Sequence, residues 1–467
     1  MYNTVKNSNS EYIVSLLSKQ KKYFESGATL DVNFRITMLK KLRDTIEKYE
    51  NEIAEALKTD LGKNTFESYM CETGLTICEI NFMIRNVKKF ARKKMVWTPP
   101  MQFASTSFKK ASPYGNTLIM SPWNYPFMLT LEPLADALAA GNTAIVKPSA
   151  YSPATSAIIK KIIGECFPEE YVAVVTGGRE ENSILLDQKF DFIFFTGSQN
   201  VGKEVIRRAS EHLTPVLLEL GGKCPCIIDS TAPIKLTARR LVFGKCTNSG
   251  QTCVAPDYVL CHSSKKEEFI KAVCDEIKKQ FGENPLSNPE YGKIINEKHF
   301  ARVCSMADSS KTVFGGKRDE STLKFEPTVM DNVTWDDEVM QQEIFGPILP
   351  ILTFESYDEV FSLLKDKAKP LALYIFSTDK KAIDSVIERC RFGGGCINDT
   401  LMHISVNAMG FGGVSESGMG TYHGRDGFNA FSHTKGILHR QNWIDLPVRY
   451  LPHKTSIDSF LAHFFMK

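Results

Sequence analysis

The chain has 467 residues, 57 of them basic and 54 acidic, for a formal net charge of +3, and it is 43% hydrophobic and 24% charged. So even a balance leaves no field to recruit nucleic acid or anionic lipid by charge alone. No run approaches the ~18 uninterrupted apolar residues of a membrane span. The length exceeds what one core supports, so two packed domains are expected. The opening Met1-Tyr2-Asn3-Thr4-Val5-Lys6 lacks the apolar core of a secretory signal, which predicts a cytoplasmic protein whose twelve cysteines stay reduced. Cys224-Pro225-Cys226 has one residue between its thiols, and no CxxC or HxxxH occurs, so no metal site is expected.

Leu39, Leu42, Ile46, Tyr49, Ile53 and Ala56 recur at spacings of three and four, the stripe of an amphipathic helix facing a core. Residues 93–109 read as an excursion carrying a β-ribbon. From Asn116 the pattern turns to short apolar runs, 117–120, 144–146, 171–175, 191–195 and 216–220. Helical stretches at 127–140, 153–166, 179–187 and 200–212 separate them. Strands alternating with crossover helices make a doubly wound α/β domain with a parallel sheet. After Gly221 a second alternation begins: helices at 235–243, 265–281, 357–367 and 382–390, strands at 258–261 and 371–376. A second α/β domain is the economical reading. The glycine-rich, then basic and aromatic, segment from Asn407 is a candidate partner for the ribbon.

The chemistry gathers in a few segments. In Asn248-Ser249-Gly250-Gln251-Thr252-Cys253 a cysteine stands among small, turn-forming residues, which suits a thiol that must be reached; a thiolate nucleophile needs partial exposure with N–H groups or positive potential nearby. Asn124, in Ser121-Pro122-Trp123-Asn124-Tyr125-Pro126, follows the first parallel strand, at the edge where α/β sheets place ligands. It is either an amide donor to an oxyanion or a turn residue. Lys147 ends the next strand, as a cation for ribose or phosphate or as a plain surface lysine. Phe195-Thr196-Gly197-Ser198-Gln199-Asn200-Val201-Gly202 runs from strand into helix, the place for a phosphate. Gly197 to Lys203 fits the start of a P-loop, but Glu204 replaces the magnesium-binding hydroxyl, which argues against an NTPase. Glu219, in Val216-Leu217-Leu218-Glu219-Leu220, is either a base with a raised pKa or a buried partner of a lysine. Glu343, in Gln341-Gln342-Glu343-Ile344-Phe345-Gly346-Pro347, carries the same ambiguity. Trp123, Tyr125 and Phe411 are candidates for an apolar substrate entrance.

Together these segments, with Leu218-Glu219-Leu220-Gly221-Gly222-Lys223, resemble the aldehyde dehydrogenase superfamily from about Phe34 to about Pro452. The run from Asn248 to Tyr258 and Gly221-Gly222-Lys223-Cys224-Pro225 are similar to its class 3 branch, of fatty and aromatic aldehyde dehydrogenases, typically dimeric. The resemblance implies a Rossmann-like dinucleotide-binding domain (1–92 and 115–219) and a catalytic domain (220–406), both doubly wound. It also implies a small β bridging and oligomerisation element (93–114 and 407–455) and a tail (456–467). It implies that Cys253 attacks the aldehyde carbon, that Asn124 and the Cys253 N–H hold the oxyanion, and that Glu219 activates the water that hydrolyses the thioester. Glu343 would then hold the nicotinamide ribose, with Phe345 packing on the ring and Leu220 beside it. Lys147 would hold the adenosine ribose, and Thr196, Gly197, Ser198 and Gly202 would border the phosphates. Many family members carry a glutamate three residues after that lysine; Ala150 stands here, which points to use of both NAD and NADP, or a lean toward NADP. The expected partners are an aldehyde and a second copy of the chain. The tail, with Phe460, Leu461, Phe464 and Phe465, is too short to span a bilayer and is expected to pack.

Three rivals stand beside this reading. An acylating enzyme passing the thioester to coenzyme A has no need of Glu219. A non-catalytic protein of the same fold has no need of every chemical position being filled. A thiol hydrolase needs a histidine, and none lies in the motifs.

Overall fold

The computed structural model describes residues 7–445, 450–452 and 463. The tail expected to pack lies, apart from residue 463, outside the described residues. In chain order the strands are β1 (Lys94–Val96), β2 (Ser105–Pro113), β3 (Asn116–Met120), β4 (Thr143–Lys147), β5 (Val172–Val174), β6 (Phe192–Gly197), β7 (Val216–Leu220), β8 (Pro225–Ile228), β9 (Tyr258–His262), β10 (Thr312–Phe314), β11 (Arg318–Asp319), β12 (Lys324–Phe325), β13 (Thr328–Met330), β14 (Ile348–Phe354), β15 (Ala372–Phe376), β16 (Gly394–Ile397), β17 (Gly418–Met419) and β18 (Ser432–Arg440).

The first sheet has the order β17-β7-β6-β3-β4-β5, parallel except for β17. Its strands are buried on both faces, because helices Met128–Ala140 and Pro153–Cys166 pack one side while Arg179–Leu186 and Gln199–Ser210 serve the other crossovers. The chain moves outward from β3 to β4 and β5, then returns to the opposite flank of β3 with β6. That reversal opens a crevice beyond the carboxyl ends of β3 and β6, where ligands of doubly wound sheets bind.

The second sheet has the order β10-β13-β14-β9-β8-β15-β16, with β10 alone antiparallel. Its amino edge faces the carboxyl edge of the first sheet. A third, antiparallel sheet joins β1, β2 and β18, with β18 registered along all of β2 from Ser432↔Pro113 to Arg440↔Ser105. The ribbon and the C-terminal segment therefore do pair. The intervening stretch does more than bridge: Gly418 pairs with Glu219, so it also closes the outer edge of the first sheet.

One expectation needs correcting. The stripe from Leu39 to Ala56 is broken at Tyr49 (φ −104°, ψ 16°) into helices Val32–Lys48 and Glu50–Leu61, both packed on Pro153–Cys166. Two helices in phase on one support present the same spacing as one. Neither sheet is wholly parallel, since β17 and β10 each add an antiparallel edge.

Candidate active site

Between the two sheets lies a cavity of about 1280 Å³, larger than the roughly 300–1,000 Å³ of an ordinary small-molecule site. One wall is the carboxyl edge of the first sheet: Trp123 and Asn124 after β3, Thr196, Gly197 and Ser198 at the end of β6, Glu219 and Leu220 at the end of β7. The other wall holds Cys253, Glu343, Phe345 and Phe411. Eleven of the fourteen residues expected from sequence thus share one space.

The cysteine loop owes its shape to three successive left-handed residues, Asn248 (φ 54°), Ser249 (φ 52°) and Gly250 (φ 75°). Gly250 has no substitute, because a Cβ there would lie 2.3 Å from the Gly346 carbonyl oxygen. Side chains hold the rest. Asn248 Nδ2 donates to the carbonyls of Asn124 (2.8 Å) and Gln251 (3.1 Å). Gln251 Nε2 donates to the carbonyls of Asn248 (2.9 Å) and Lys293 (3.0 Å), and its Oε1 accepts the Ile295 N–H (3.0 Å). Asn124 Nδ2 donates to the Gln251 carbonyl at 3.0 Å, which brings the amide onto the cysteine loop.

The Cys253 thiol is half-buried, with backbone N–H groups beside it, one of the two surroundings expected. Burial, Glu343 and Glu219 push its pKa well up, against the pull of the Cys253 and Val254 N–H groups. Such a thiol holds its proton until a base removes it. Glu219 is 2% exposed. Neither carboxylate oxygen has a partner among the described residues, and burial raises its pKa well above the usual carboxylate range. The lysine-paired reading of Glu219 is thereby excluded. Glu343 is pushed up to about 8, by burial first and then by Asp257.

The segment around Glu343 is tied in place by Lys223, whose Nζ meets Asp257 Oδ2 at 2.5 Å and donates to the carbonyls of Val339 (3.0 Å) and Gln342 (2.8 Å). Asp257 Oδ1 accepts the Ile344 N–H at 3.0 Å. Arg302 donates to the carbonyls of Glu343 (3.0 Å) and Ile344 (2.6 Å). The Phe345 ring meets Trp123 edge-on at 5.3 Å, and Trp123 lies 4.8 Å from the His299 ring.

Three expected residues stand off the cavity wall. Tyr125 turns its hydroxyl to Thr252 Oγ1 (2.6 Å) and its ring to Lys63 Nζ (4.1 Å), so it braces the cysteine loop instead of lining an entrance. Lys147 is no surface lysine: it is buried, donates to the Pro148 carbonyl at 2.8 Å, and is pushed down to about 8 by burial. Gly202 lets helix Gln199–Ser210 close on β7, since a Cβ there would sit 2.8 Å from Leu220 Cδ2. Sequence reasoning passed over Lys63, Lys223, His299, Arg302 and Tyr422. Only Lys223 lay inside a quoted motif.

A dinucleotide suits this cavity. Thr196 Oγ1 is buried without a partner among the described residues, and Ser198 caps helix Gln199–Ser210 without a side-chain bond, which leaves a strand-to-helix turn of free donors for phosphate.

Residues 1–437 match the profile described as "Aldehyde dehydrogenase family". The chain belongs to the aldehyde dehydrogenase family. It is 47% identical over 446 residues to the 4,4'-diaponeurosporen-aldehyde dehydrogenase of Staphylococcus aureus (strain NCTC 8325 / PS 47), covering 95% of this chain and 97% of that one. It is 41% identical to aldehyde dehydrogenase family 3 member A2 of Rattus norvegicus (95% and 92% covered) and 38% identical to the "dimeric NADP-preferring" aldehyde dehydrogenase of Canis lupus familiaris (94% and 98%). Among solved structures, Staphylococcus aureus AldH in a substrate-bound state superposes with a TM-score of 0.95 at 46% identity, covering 97% and 99% of the chains. The betaine aldehyde dehydrogenase of the same species, in complex with NAD+, gives 0.85 at 27% identity, covering 95% and 91%. The class 3 likeness and the α/β fold of two mainly parallel sheets with a small antiparallel one stand. This aldehyde dehydrogenase is an NAD(P)-dependent oxidoreductase acting on aldehydes, and among its described residues no helix is long and apolar enough to cross a membrane.

Proposed function

We propose that this enzyme oxidises medium- or long-chain aliphatic or aromatic aldehydes to free carboxylic acids through a thioester on Cys253. The observation that carries the reading is the meeting, in one cavity, of the Cys253 thiol, the Asn124 amide and a Glu219 carboxylate with no other partner.

Cys253 attacks the aldehyde carbon as its thiol proton passes to solvent water, giving a thiohemiacetal. The Asn124 amide and the Cys253 N–H are pre-organised donors for the oxyanion, a contribution of about 10²–10³ in rate for each such donor. Bound NAD or NADP supplies the hydride acceptor. Glu219, desolvated and so basic enough to work near neutral pH, takes the proton of the water that releases the acid from the thioester. Glu343 would hold the nicotinamide ribose with Phe345 and Leu220 against the ring, Lys147 the adenosine ribose, and Thr196, Gly197, Ser198 and Gly202 the pyrophosphate turn. With Ala150 exposed and no carboxylate there, both cofactors are used, or NADP is favoured. Trp123 and Phe411 line the aldehyde's approach, which suits apolar substrates. The active form is a homodimer, supported by an edge of β18 that no strand among the described residues pairs, with Ile437 and Leu438 exposed on it.

The test is trapping. With Glu219→Gln, an aldehyde and NAD, one equivalent of NADH per site is expected in a burst, with the protein's mass raised by one acyl group. Cys253→Ala should give neither. A burst without an adduct, or acid formation only when coenzyme A is added, would overturn the reading. An aldehyde panel graded by chain length tests the substrate class; preference for short polar aldehydes would overturn it.

A further inference from the structure

Lys63 stands in the turn between helices Glu50–Leu61 and Thr65–Ser68, yet its side chain is 0% exposed. Its Nζ meets Glu72 Oε1 at 2.5 Å, donates to the Asn124 carbonyl at 3.1 Å and lies 4.1 Å from the centroid of the Tyr125 ring. The other Glu72 oxygen accepts the N–H groups of Phe127 (2.9 Å) and Met128 (3.0 Å), at the start of helix Met128–Ala140. On helix Thr65–Ser68 Glu67 accepts the Asn248 N–H at 2.6 Å. Asn248 closes the circuit by donating to the Asn124 carbonyl at 2.8 Å. The loop after β3 and the cysteine loop are thus fastened to one buried cation and its counter-ions, none of which touches the cavity.

A buried ion pair adds little net stability over an apolar pair of equal volume. What it fixes is the better explanation. The Asn124 carbonyl is held by two donors, one of them charged, and a charge-assisted bond is the stiffer tether. Rotation of that peptide would carry the side-chain amide away from Gln251 and out of line with Cys253, and a displacement near 1 Å can cost about 10² in rate.

We propose that Lys63, with Glu72 as its counter-ion, is a positioning residue that fixes the Asn124 backbone and so aims the Asn124 amide at the oxyanion formed on Cys253. This rests on the proposed role of Asn124, and the test separates the two. Because Lys63→Met alone strands a buried carboxylate, it is paired with Lys63→Met/Glu72→Gln. Each is measured with Asn124 present and with Asn124→Ala, as a kinetic cycle for kcat and for the KM of aldehyde and cofactor. Asn124→Ala should lower kcat by about 10². The paired variant should lower kcat by about 10–10² with the cofactor KM unchanged, and by less than about threefold once Asn124 is already alanine. An equal loss in both backgrounds, or a parental kcat in the paired variant, would make Lys63 a structural cation only. If Asn124→Ala itself keeps the parental kcat, the oxyanion reading fails first and the positioning role falls with it.

Discussion

Glu343 lies directly over Gly221: a Cβ built on that glycine would stand 2.2 Å from Oε2. The glycine therefore makes room for a carboxylate proposed to grip the cofactor, at the junction where β7 leaves the first sheet. Gly221→Ala is expected to displace Glu343 and raise the cofactor KM about tenfold, the scale of one lost charged hydrogen bond. Unchanged cofactor KM would show that Glu343 does not act from this position.

Glu219 gives a prediction whose sign follows from burial alone. Its folded pKa lies above the ordinary value near 4.3 of the unfolded chain. Its contribution to stability is then fully present below that unfolded value and is lost as pH rises through the folded one. Glu219→Gln cannot ionise, so its thermal midpoint relative to the parent should climb between pH 5 and pH 9, by at least about 2 °C. In the parent the acidic limb of kcat should fall well above pH 4.3, because the base must be unprotonated to work. A constant midpoint difference across that range would refute the desolvated carboxyl.

Ala150 is exposed in the turn after Lys147, three residues on and before helix Pro153–Cys166. Ala150→Glu should place a charge where it accepts from ribose hydroxyls and repels a 2′-phosphate. The ratio of kcat/KM for NAD to that for NADP should rise by about tenfold. Should the parent already prefer NAD strongly and the variant leave the ratio alone, the proposed dual use is wrong.

The five parallel strands of the first sheet were legible because each is a short apolar run flanked by a helical period; its two-residue antiparallel edge, β17, was not. Of the second sheet only β9 and β15 were legible. Pro225 opens β8 and Pro350 sits inside β14, where it pairs with Met330, so both read as broken runs; Gly394-Gly395 at the start of β16 reads as a turn. The same contrast holds in the site. Cys253, Asn124 and Glu219 announce themselves by local context, whereas Lys63 looks like a solvated turn lysine and acquires its partners from residues nine and sixty-one positions away. Tyr125 and Lys147 were rightly placed at the ligand edge of the sheet, but alternation along a strand or loop does not say which neighbour a side chain will choose.

Among the described residues, the outer neighbour of the Glu219 strand is Gly418 and Met419, some two hundred residues further on. During synthesis, the entire second sheet must leave the ribosome before that edge can be capped. A nascent chain stopped short of Gly418 would carry the cysteine, the amide and the carboxylate, yet leave the carboxylate's flank open to water. A stretch made after the whole second sheet thus dries the base.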